Sequence, residues 1–249
     1  MFESTEFVDS IQNDRLDGGE KLMIDLASLE AKGPLAEAES PRPIRHPSVL
    51  KRAIDVTLSV IMLVATFPLF ALVSLAIWLE DRGPVLYRQE RWGMGTRPFT
   101  LLKFRSMVQD ADQGGPPLQA SEEDERLTRV GRALRRFGLD ELPQLVNILK
   151  GDMSFVGPRA LAVGEVVEDW DGRPVNYPAF PGFRQRLAVR PGLTGVATIY
   201  LPKDATPMEK FQQDVAYVAQ QSVWLDLKLI ALSFWISVRG KWETRSSKI

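Results

Sequence analysis

The longest apolar stretch of the chain covers residues 54–79, and Asp55 is the only charged residue in it. As an α-helix, these 26 residues would measure ~39 Å, more than the ~30 Å hydrocarbon core of a bilayer. The pattern therefore predicts a membrane helix. Pro68 lies in its middle, lacks a backbone N–H and predicts a kink. These residues leave two topologies open: a kinked helix that spans the bilayer, and a re-entrant helix that returns to the same leaflet.

After this segment the apolar residues recur with a period of two. Residues 84–90 and 97–107 flank Gly93-Met94-Gly95, a pattern that predicts a β-hairpin. Lys103 and Arg105 alternate with apolar residues, so both are predicted to leave the same face of the second strand. Residues 108–125 are rich in Asp, Gly and Gln and predict a loop.

The next segments have helical spacing. Residues 126–137 predict a helix with arginines on one side and apolar residues on the other. Pro143 and Gly151 bound a second helix, predicted over residues 141–150, which places Asp140 at or near its N-cap. The N–H groups and dipole of a helix start favour an ionised carboxylate. Capping alone would explain Asp140, and Glu141 is common in a first turn, so the acid pair by itself indicates little.

The last periodic stretch covers residues 224–242, where leucines, tryptophans and scattered cations predict an amphipathic interfacial helix. Packing of this helix into the core is the alternative.

Composition and charge narrow the chemistry. The chain has no cysteine and one histidine, His46, which excludes disulfides, structural zinc, a cysteine nucleophile and any histidine triad without His46. A metal would need oxygen ligands.

The charge is unevenly distributed. Residues 1–40, the leader, contain ten acids and three bases, a net charge of −7, so the remaining residues carry +6 and the whole chain has a formal net charge of −1. A basic body favours anionic partners such as phosphates or lipid headgroups, whereas no motif indicates nucleic acid. The leader lacks the pattern of a secretory signal.

The string LDELPQLVNILKGDMSFVGPR at residues 139–159, followed by RPGLTG at 190–195, closely resembles the bacterial sugar transferases. These are small monotopic phosphoglycosyl transferases, and the resemblance covers residues 49–238. It implies an α+β fold with a mostly helical catalytic body, a short β-hairpin and interfacial amphipathic helices. It also implies an anchor helix broken at a proline, which favours the re-entrant topology with its break at Pro68. Members usually have serine before that proline, where this chain has Thr66-Phe67.

The family's chemistry implies roles for the two acids. Asp140 would attack the sugar-linked phosphate of a nucleotide diphosphosugar, with UDP as the expected nucleotide, and release the nucleoside monophosphate. The aspartyl phosphosugar would then pass to polyprenyl (undecaprenyl) phosphate in a ping-pong reaction that initiates exopolysaccharide assembly. Glu141, together with Asp140, would hold Mg²⁺. The residues expected to bind substrate or its phosphates are Lys103, Arg105, Arg135, Pro158, Arg159, Arg190 and Asp214.

The resemblance also implies an organisation and a location. We expect an acidic leader and linker at residues 1–48, a membrane helix at 49–82, the catalytic domain at 83–242 and a tail at 243–249. The expected location is the cytoplasmic face of the bacterial inner membrane, with membrane lipids as partners and a homo-oligomer left open. Two other functions remain: a Mg²⁺-dependent nucleotide-sugar pyrophosphatase, and an inactive membrane scaffold of a polysaccharide assembly complex. Ala160 stands where the family commonly has proline, so the sugar is not inferred from the resemblance.

Overall fold

The computed structural model describes residues 44, 48–109, 111, 124–168, 172–202 and 205–239. All of these belong to one compact unit, Leu35–Ile249. The predictions for the acidic leader and for the tail fall on residues 1–43, 45–47 and 240–249, which lie outside the described residues, as do most of the predicted loop at 108–125 and Trp242.

Six short strands form three two-stranded sheets among the described residues. The strands are β1 (Leu86–Trp92), β2 (Pro98–Phe104), β3 (Ser154–Val156), β4 (Val166–Glu168), β5 (Pro174–Asn176) and β6 (Gly192–Thr194). The pairs β1–β2 and β4–β5 are antiparallel, and β3–β6 is parallel. The helices are α1 (Val49–Asp81), α2 (Arg129–Phe137), α3 (Gln144–Lys150), α4 (Phe183–Arg186), α5 (Val196–Tyr200), α6 (Pro207–Gln220) and α7 (Val223–Arg239). The structure is thus a mixed α and β fold.

Helix α1 contains the predicted apolar segment. It begins at Val49 because the Ser48 side chain accepts the N–H of Lys51 at 3.2 Å, and it ends at Arg82 in a left-handed conformation. Only 11% of its most apolar 18-residue window is buried, and the helix is long and apolar enough to cross a membrane. The prediction of a long membrane-compatible helix is confirmed.

The proline does not interrupt the assigned helix, which continues through Pro68 to Asp81. The missing N–H of Pro68 would have reached the carbonyl of Val64. The Thr66 hydroxyl donates to a different carbonyl, that of Met62, at 2.6 Å. A re-entrant break at Pro68 therefore stays a prediction.

The β-hairpin is confirmed. Its strands are β1 and β2, which pair with Tyr87 opposite Lys103 and Arg91 opposite Phe99. The turn contains a short 3-10 helix, Met94–Thr96. The hairpin packs through β2 against α3, where the Asn147 side chain bonds the strand backbone before and after Leu101. Its Oδ1 accepts the N–H of Leu102 at 3.0 Å, and its amide donates to the Thr100 carbonyl at 2.7 Å.

The predicted helix over residues 141–150 begins later, at Gln144, and Asp140 is not its N-cap. Leu139–Glu141 forms a separate 3-10 turn that follows Gly138. Hydrogen bonds of an α-helix join residues four apart. The bonds instead join residues three apart, as from the Glu141 N–H to the Gly138 carbonyl at 3.3 Å. The structure thus places Asp140 in this 3-10 turn, three residues before the N-cap position of α3, which Pro143 occupies.

Two apolar clusters hold these elements together. One contains Leu161, Tyr177, Phe180, Phe183, Leu187 and Phe211, with Trp92 at its edge. The other joins Val73 and Ile77 of α1 to Phe104 of β2 and Leu134 of α2. The second cluster attaches the C-terminal half of the membrane helix to the body of the protein.

Helix α7 buries part of its polar side and exposes apolar residues. Asp226, Leu229 and Ile236 are buried, whereas Trp224 and Phe234 are 68% and 69% exposed. The exposed apolar residues therefore point away from the core. Packing of α7 into the core accounts for one face only.

Candidate active site

The acid pair lies on a tight turn between α2 and α3. Gly138 ends α2 with φ of 68°, a left-handed conformation that glycine adopts at no steric cost, and its amide donates to the Arg135 carbonyl at 3.1 Å. The turn that follows buries Asp140 to 5% exposure and leaves the side chain of Glu141 one quarter exposed. Glu141 lines the pocket described below, whereas Asp140 is buried and is not among the residues that line it.

Lys103 reaches this turn from the hairpin. Its Nζ lies 2.6 Å from Oε1 of Glu141, and both side chains are largely shielded from solvent. Lys103 is near the end of β2, and α3 packs against that strand through Asn147. The hairpin therefore places a cation directly on the second acid of the pair.

Two further cations share the pocket with this ion pair. The pocket has an empty volume of about 260 Å³. Its lining residues are Arg91, Leu101, Lys103, Glu141, Gln144, Arg159, Ala160, Gly192 and Leu193. Three cations and one carboxylate leave two positive charges uncompensated among these residues. A pocket of this charge suits a phosphate or diphosphate group.

The charge of Glu141 follows from the same neighbours. Burial acts to raise its pKa, but the attraction of Lys103, Arg159 and Arg91, with the hydrogen bond from Lys103, outweighs burial and lowers the pKa below its ordinary value. Glu141 is therefore held ionised.

Arg159 enters the pocket from the loop after β3. In that loop, the Gly157 N–H donates to the Thr194 carbonyl at 3.0 Å, and the Pro158 carbonyl accepts the Gly192 N–H at 2.9 Å. A Cβ at Gly157 would lie 2.3 Å from the Arg190 carbonyl oxygen, so only glycine allows the two segments to approach this closely. The motifs at residues 157–159 and 190–195, far apart in sequence, thus form one structure.

Arg91 is a pocket residue that sequence reasoning missed. Its guanidinium donates to the Ala160 carbonyl at 2.9 Å and to the side chain of Gln89, and its Nε is buried without a hydrogen-bond partner among the described residues. Burial and the neighbouring Arg159 lower its pKa. Lys103 pairs with Tyr87, and Arg91 lies four residues after Tyr87 on β1. Because side chains two or four residues apart on a strand share a face, Arg91 and Lys103 lie on the same face of the hairpin. That relation was available only once the register was known.

Asp214 is connected to the loop that carries Arg159 through Arg186, a residue that the sequence analysis did not single out. It pairs with Arg186 in the interior, where the two side chains are 3% and 1% exposed. Burial raises the pKa of Asp214 against the opposing effect of Arg186. The Arg186 guanidinium also donates to the Arg159 carbonyl at 2.9 Å. Asp214 therefore pairs with Arg186, and Arg186 in turn holds the backbone of Arg159.

The remaining predicted cations have other neighbours. Arg105 is buried and pairs with Asp81 at the end of α1. Arg135 donates through Nε to the Ser106 hydroxyl at 3.2 Å. Arg190 lies near Gly151 at the C-terminal end of α3, the end opposite to the acid pair. None of these three lines the pocket that contains Glu141.

Comparison with known proteins bears on the family of this chain. The family model described as bacterial sugar transferase matches residues 46–240. An undecaprenyl-phosphate glucose phosphotransferase of Komagataeibacter xylinus is 41% identical over 199 residues, 77% of this chain and 36% of the relative. A UDP-glucose:undecaprenyl-phosphate glucose-1-phosphate transferase of Caulobacter vibrioides is 39% identical over 196 residues, 76% of this chain and 70% of the relative. An exopolysaccharide production protein of Rhizobium leguminosarum bv. phaseoli is 39% identical over 189 residues, 73% of this chain and 92% of the relative.

The chain thus spans about a third of the Komagataeibacter protein's length and most of the other two. The relatives' names are those of phosphoglycosyl transferases and of an exopolysaccharide protein, which are the enzyme class and pathway that the motifs predicted. Because the family model matches more than half of this chain, the chain belongs to the bacterial sugar transferase family.

Proposed function

We propose that this protein transfers a sugar-1-phosphate from a UDP-sugar to undecaprenyl phosphate and releases UMP. The observation that carries the proposal is the pocket that Lys103, Arg91 and Arg159 line together with Glu141, the residue that follows the buried Asp140 in the sequence. Two of the relatives are named for glucose transfer, so UDP-glucose is the first donor to test.

Asp140 is the proposed nucleophile. A carboxylate oxygen attacks the sugar-linked phosphorus of the donor, the bond from that phosphorus to the bridging oxygen breaks, and UMP leaves with the bonding electrons. The product is an aspartyl phosphosugar. A phosphate oxygen of undecaprenyl phosphate then attacks the same phosphorus, which frees the carboxylate and completes a ping-pong cycle.

The cations supply the charge balance. Both half-reactions place negative charge on phosphoryl oxygens, and cations already oriented by the fold stabilise that charge without reorganising. Arg91 is held by the Ala160 carbonyl, and Arg159 is held by the Gly157-Pro158 loop. Arginine offers paired donors to phosphate oxygens, and lysine acts as a point charge.

A Mg²⁺ ion fits the acid pair as a metal shared with the substrate. No group of three or more His, Cys, Asp or Glu side chains that could hold a metal occurs among the described residues. Mg²⁺ commonly binds through one or two carboxylates together with substrate phosphates. Asp140 and the Glu141 oxygen not bound by Lys103 would hold it, and it would neutralise diphosphate charge when bound.

We further propose that α1 is re-entrant and that the body lies on the cytoplasmic face. Both ends of α1 contact the same body: Arg52 donates to the Ile148 and Leu149 carbonyls at 2.7 and 2.8 Å, and Asp81 pairs with Arg105. A straight helix from Arg52 to Asp81 would be ~44 Å long, slightly more than the ~40 Å width expected for a body of about 160 residues. A bend at Pro68 would allow both contacts.

Helix α7 supports the same placement. Its exposed Trp224 and Trp235 have Lys228 and Arg239 over their rings, at 5.4 and 4.3 Å from the ring centroids. Aromatic rings beside cations suit the headgroup region of a bilayer.

The test is a panel of UDP-sugars with the purified full chain, with and without undecaprenyl phosphate. UMP release that depends on the lipid supports the transferase. Release without lipid would identify a pyrophosphatase, and no release from any donor would leave a scaffold. Asp140→Asn should abolish the covalent intermediate labelled from a radioactive donor. Persistence of that label would exclude Asp140 as the nucleophile.

A further inference from the structure

The first turns of the membrane helix bury a polar stripe. Lys51, Asp55 and Ser59, spaced by four residues on one face of α1, are 7%, 2% and 0% exposed. Lys51 and Asp55 contact β3 of the catalytic body, and Asp55 is the charged residue of the otherwise apolar stretch. A helix that served only as an anchor would have no need of buried charges, which are costly to desolvate.

Each residue of β3 is bonded to this stripe. Oδ1 of Asp55 accepts the Ser154 hydroxyl at 3.0 Å and the Phe155 N–H at 3.1 Å. Nζ of Lys51 donates to the Val156 carbonyl at 3.1 Å. Three consecutive residues of the body are therefore tied to two residues of the membrane helix.

A second buried layer holds Lys51 in place. Its Nζ lies 2.6 Å from Oδ2 of Asp226 in α7, and the Tyr217 hydroxyl of α6 donates to Oδ1 of Asp226 at 2.7 Å. The same hydroxyl lies 3.2 Å from the Val156 carbonyl. The Val156 carbonyl is thus held between the membrane helix and the C-terminal helices.

The tethered strand leads directly into the site. Val156 is followed by Gly157, Pro158 and Arg159, and Arg159 lines the pocket that contains Glu141. Gly157 donates to the Thr194 carbonyl, so the loop has little freedom beyond Val156. A shift of β3 would therefore be passed to the Arg159 guanidinium.

We propose that Lys51 and Asp55 are positioning residues, and that the membrane helix is part of the framework that places Arg159 against the donor phosphates. This inference rests on the proposed transferase function. It implies that the half-reaction with the water-soluble donor depends on the helix, although that step involves no lipid.

The test is the pre-steady-state burst of UMP from a UDP-sugar, without undecaprenyl phosphate, in detergent. The rate constant of the burst reports the reacting site, and its amplitude reports the fraction of folded molecules. Lys51→Met should lower the rate constant ~10- to ~100-fold, as expected for a misplacement of about 1 Å in a catalytic group. Lys150→Met makes the same chemical change on an exposed residue and should leave the rate constant unchanged.

A lower amplitude with a wild-type rate constant would show that Lys51 serves folding alone and would overturn the inference. If Lys51→Met yields no folded protein, Tyr217→Phe, which keeps the ion pair with Asp226, should still slow the burst about threefold or more. A wild-type rate there would overturn it as well.

A coupling measurement identifies the route. If Lys51 acts through Arg159, Lys51→Met should have little further effect on the rate constant in an Arg159→Gln background. Full additivity of the two substitutions would refute that route. Failure of the proposed function is distinguishable, because the wild-type protein and Lys150→Met would then both lack a burst.

Discussion

Replacement of Lys103 by methionine should change both the rate and its pH dependence. The substitution keeps an unbranched side chain, one atom shorter, and removes the charge that lies 2.6 Å from Oε1 of Glu141. The charge of Lys103 and a unit charge on the reacting phosphate, about 4 Å apart, would interact by ~4 kcal/mol at an effective dielectric constant of ~20. An energy of that size corresponds to about three decades in rate. Arg91 and Arg159 remain in the pocket. We therefore expect kcat/KM for the donor to fall ~100-fold, near the lower end of the range for loss of one charge-stabilising donor.

The pH dependence follows from the sign of the shift in Glu141. Lys103 is the largest of the influences that lower the Glu141 pKa against burial. Without Lys103, burial meets less opposition and the pKa rises. Because the ionised form is the active one, the acid limb of kcat/KM should move to higher pH in Lys103→Met.

The assay is a pH profile of kcat/KM for UMP release, which reports the pKa values of the free enzyme. Lys103→Arg keeps the charge and is the matched control: its acid limb should stay close to that of the wild type. An acid limb that does not move in Lys103→Met would refute the electrostatic account of Glu141, whatever the loss of rate.

Three other predictions follow from the described contacts. Arg91→Gln should raise KM for the donor ~10-fold, because a charge-assisted contact to phosphate is lost, whereas Arg88→Gln, exposed on the same strand, should not change KM; equal effects would contradict the assignment. Asp214→Asn should lower the free energy of unfolding in urea by ~3–5 kcal/mol, since its buried arginine partner is left uncompensated; a change under ~1 kcal/mol would contradict this ion-pair account. Because the chain has no native cysteine, Val49→Cys and Arg82→Cys can be labelled with an impermeant maleimide, and both should react from the cytoplasmic side; labelling from opposite sides would exclude the re-entrant topology.

The site was predicted from sequence where its parts are local. The order of Asp140 and Glu141, the alternation that brings Lys103 out of β2, and the glycine that precedes Arg159 are short-range features. The start of α3 was predicted three residues too early, because the periodicity of residues 141–150 does not distinguish a 3-10 turn from the first turn of an α-helix. Local chemistry thus nominated the two acids but did not predict their backbone conformation.

The residues that sequence reasoning missed depend on contacts between distant segments. Arg91 enters the pocket through the register of the hairpin, and Arg186 reaches the Arg159 carbonyl from α4. Arg105, predicted for the site by its strand position, instead pairs with Asp81 of the membrane helix. Residue type and alternation can nominate a cation, but they do not assign its partner.

The sequence by itself determined that the chain contains a membrane-compatible helix, a hairpin and an adjacent acid pair before a short helix, because hydrophobic runs, period-two alternation and proline or glycine positions act over a few residues. The tertiary structure decided which cations surround Glu141 and that Lys51 and Asp55 of the membrane helix hold β3. The physical reason is that a buried charge must find its partner within a few ångströms, and packing chooses that partner among residues far apart along the chain.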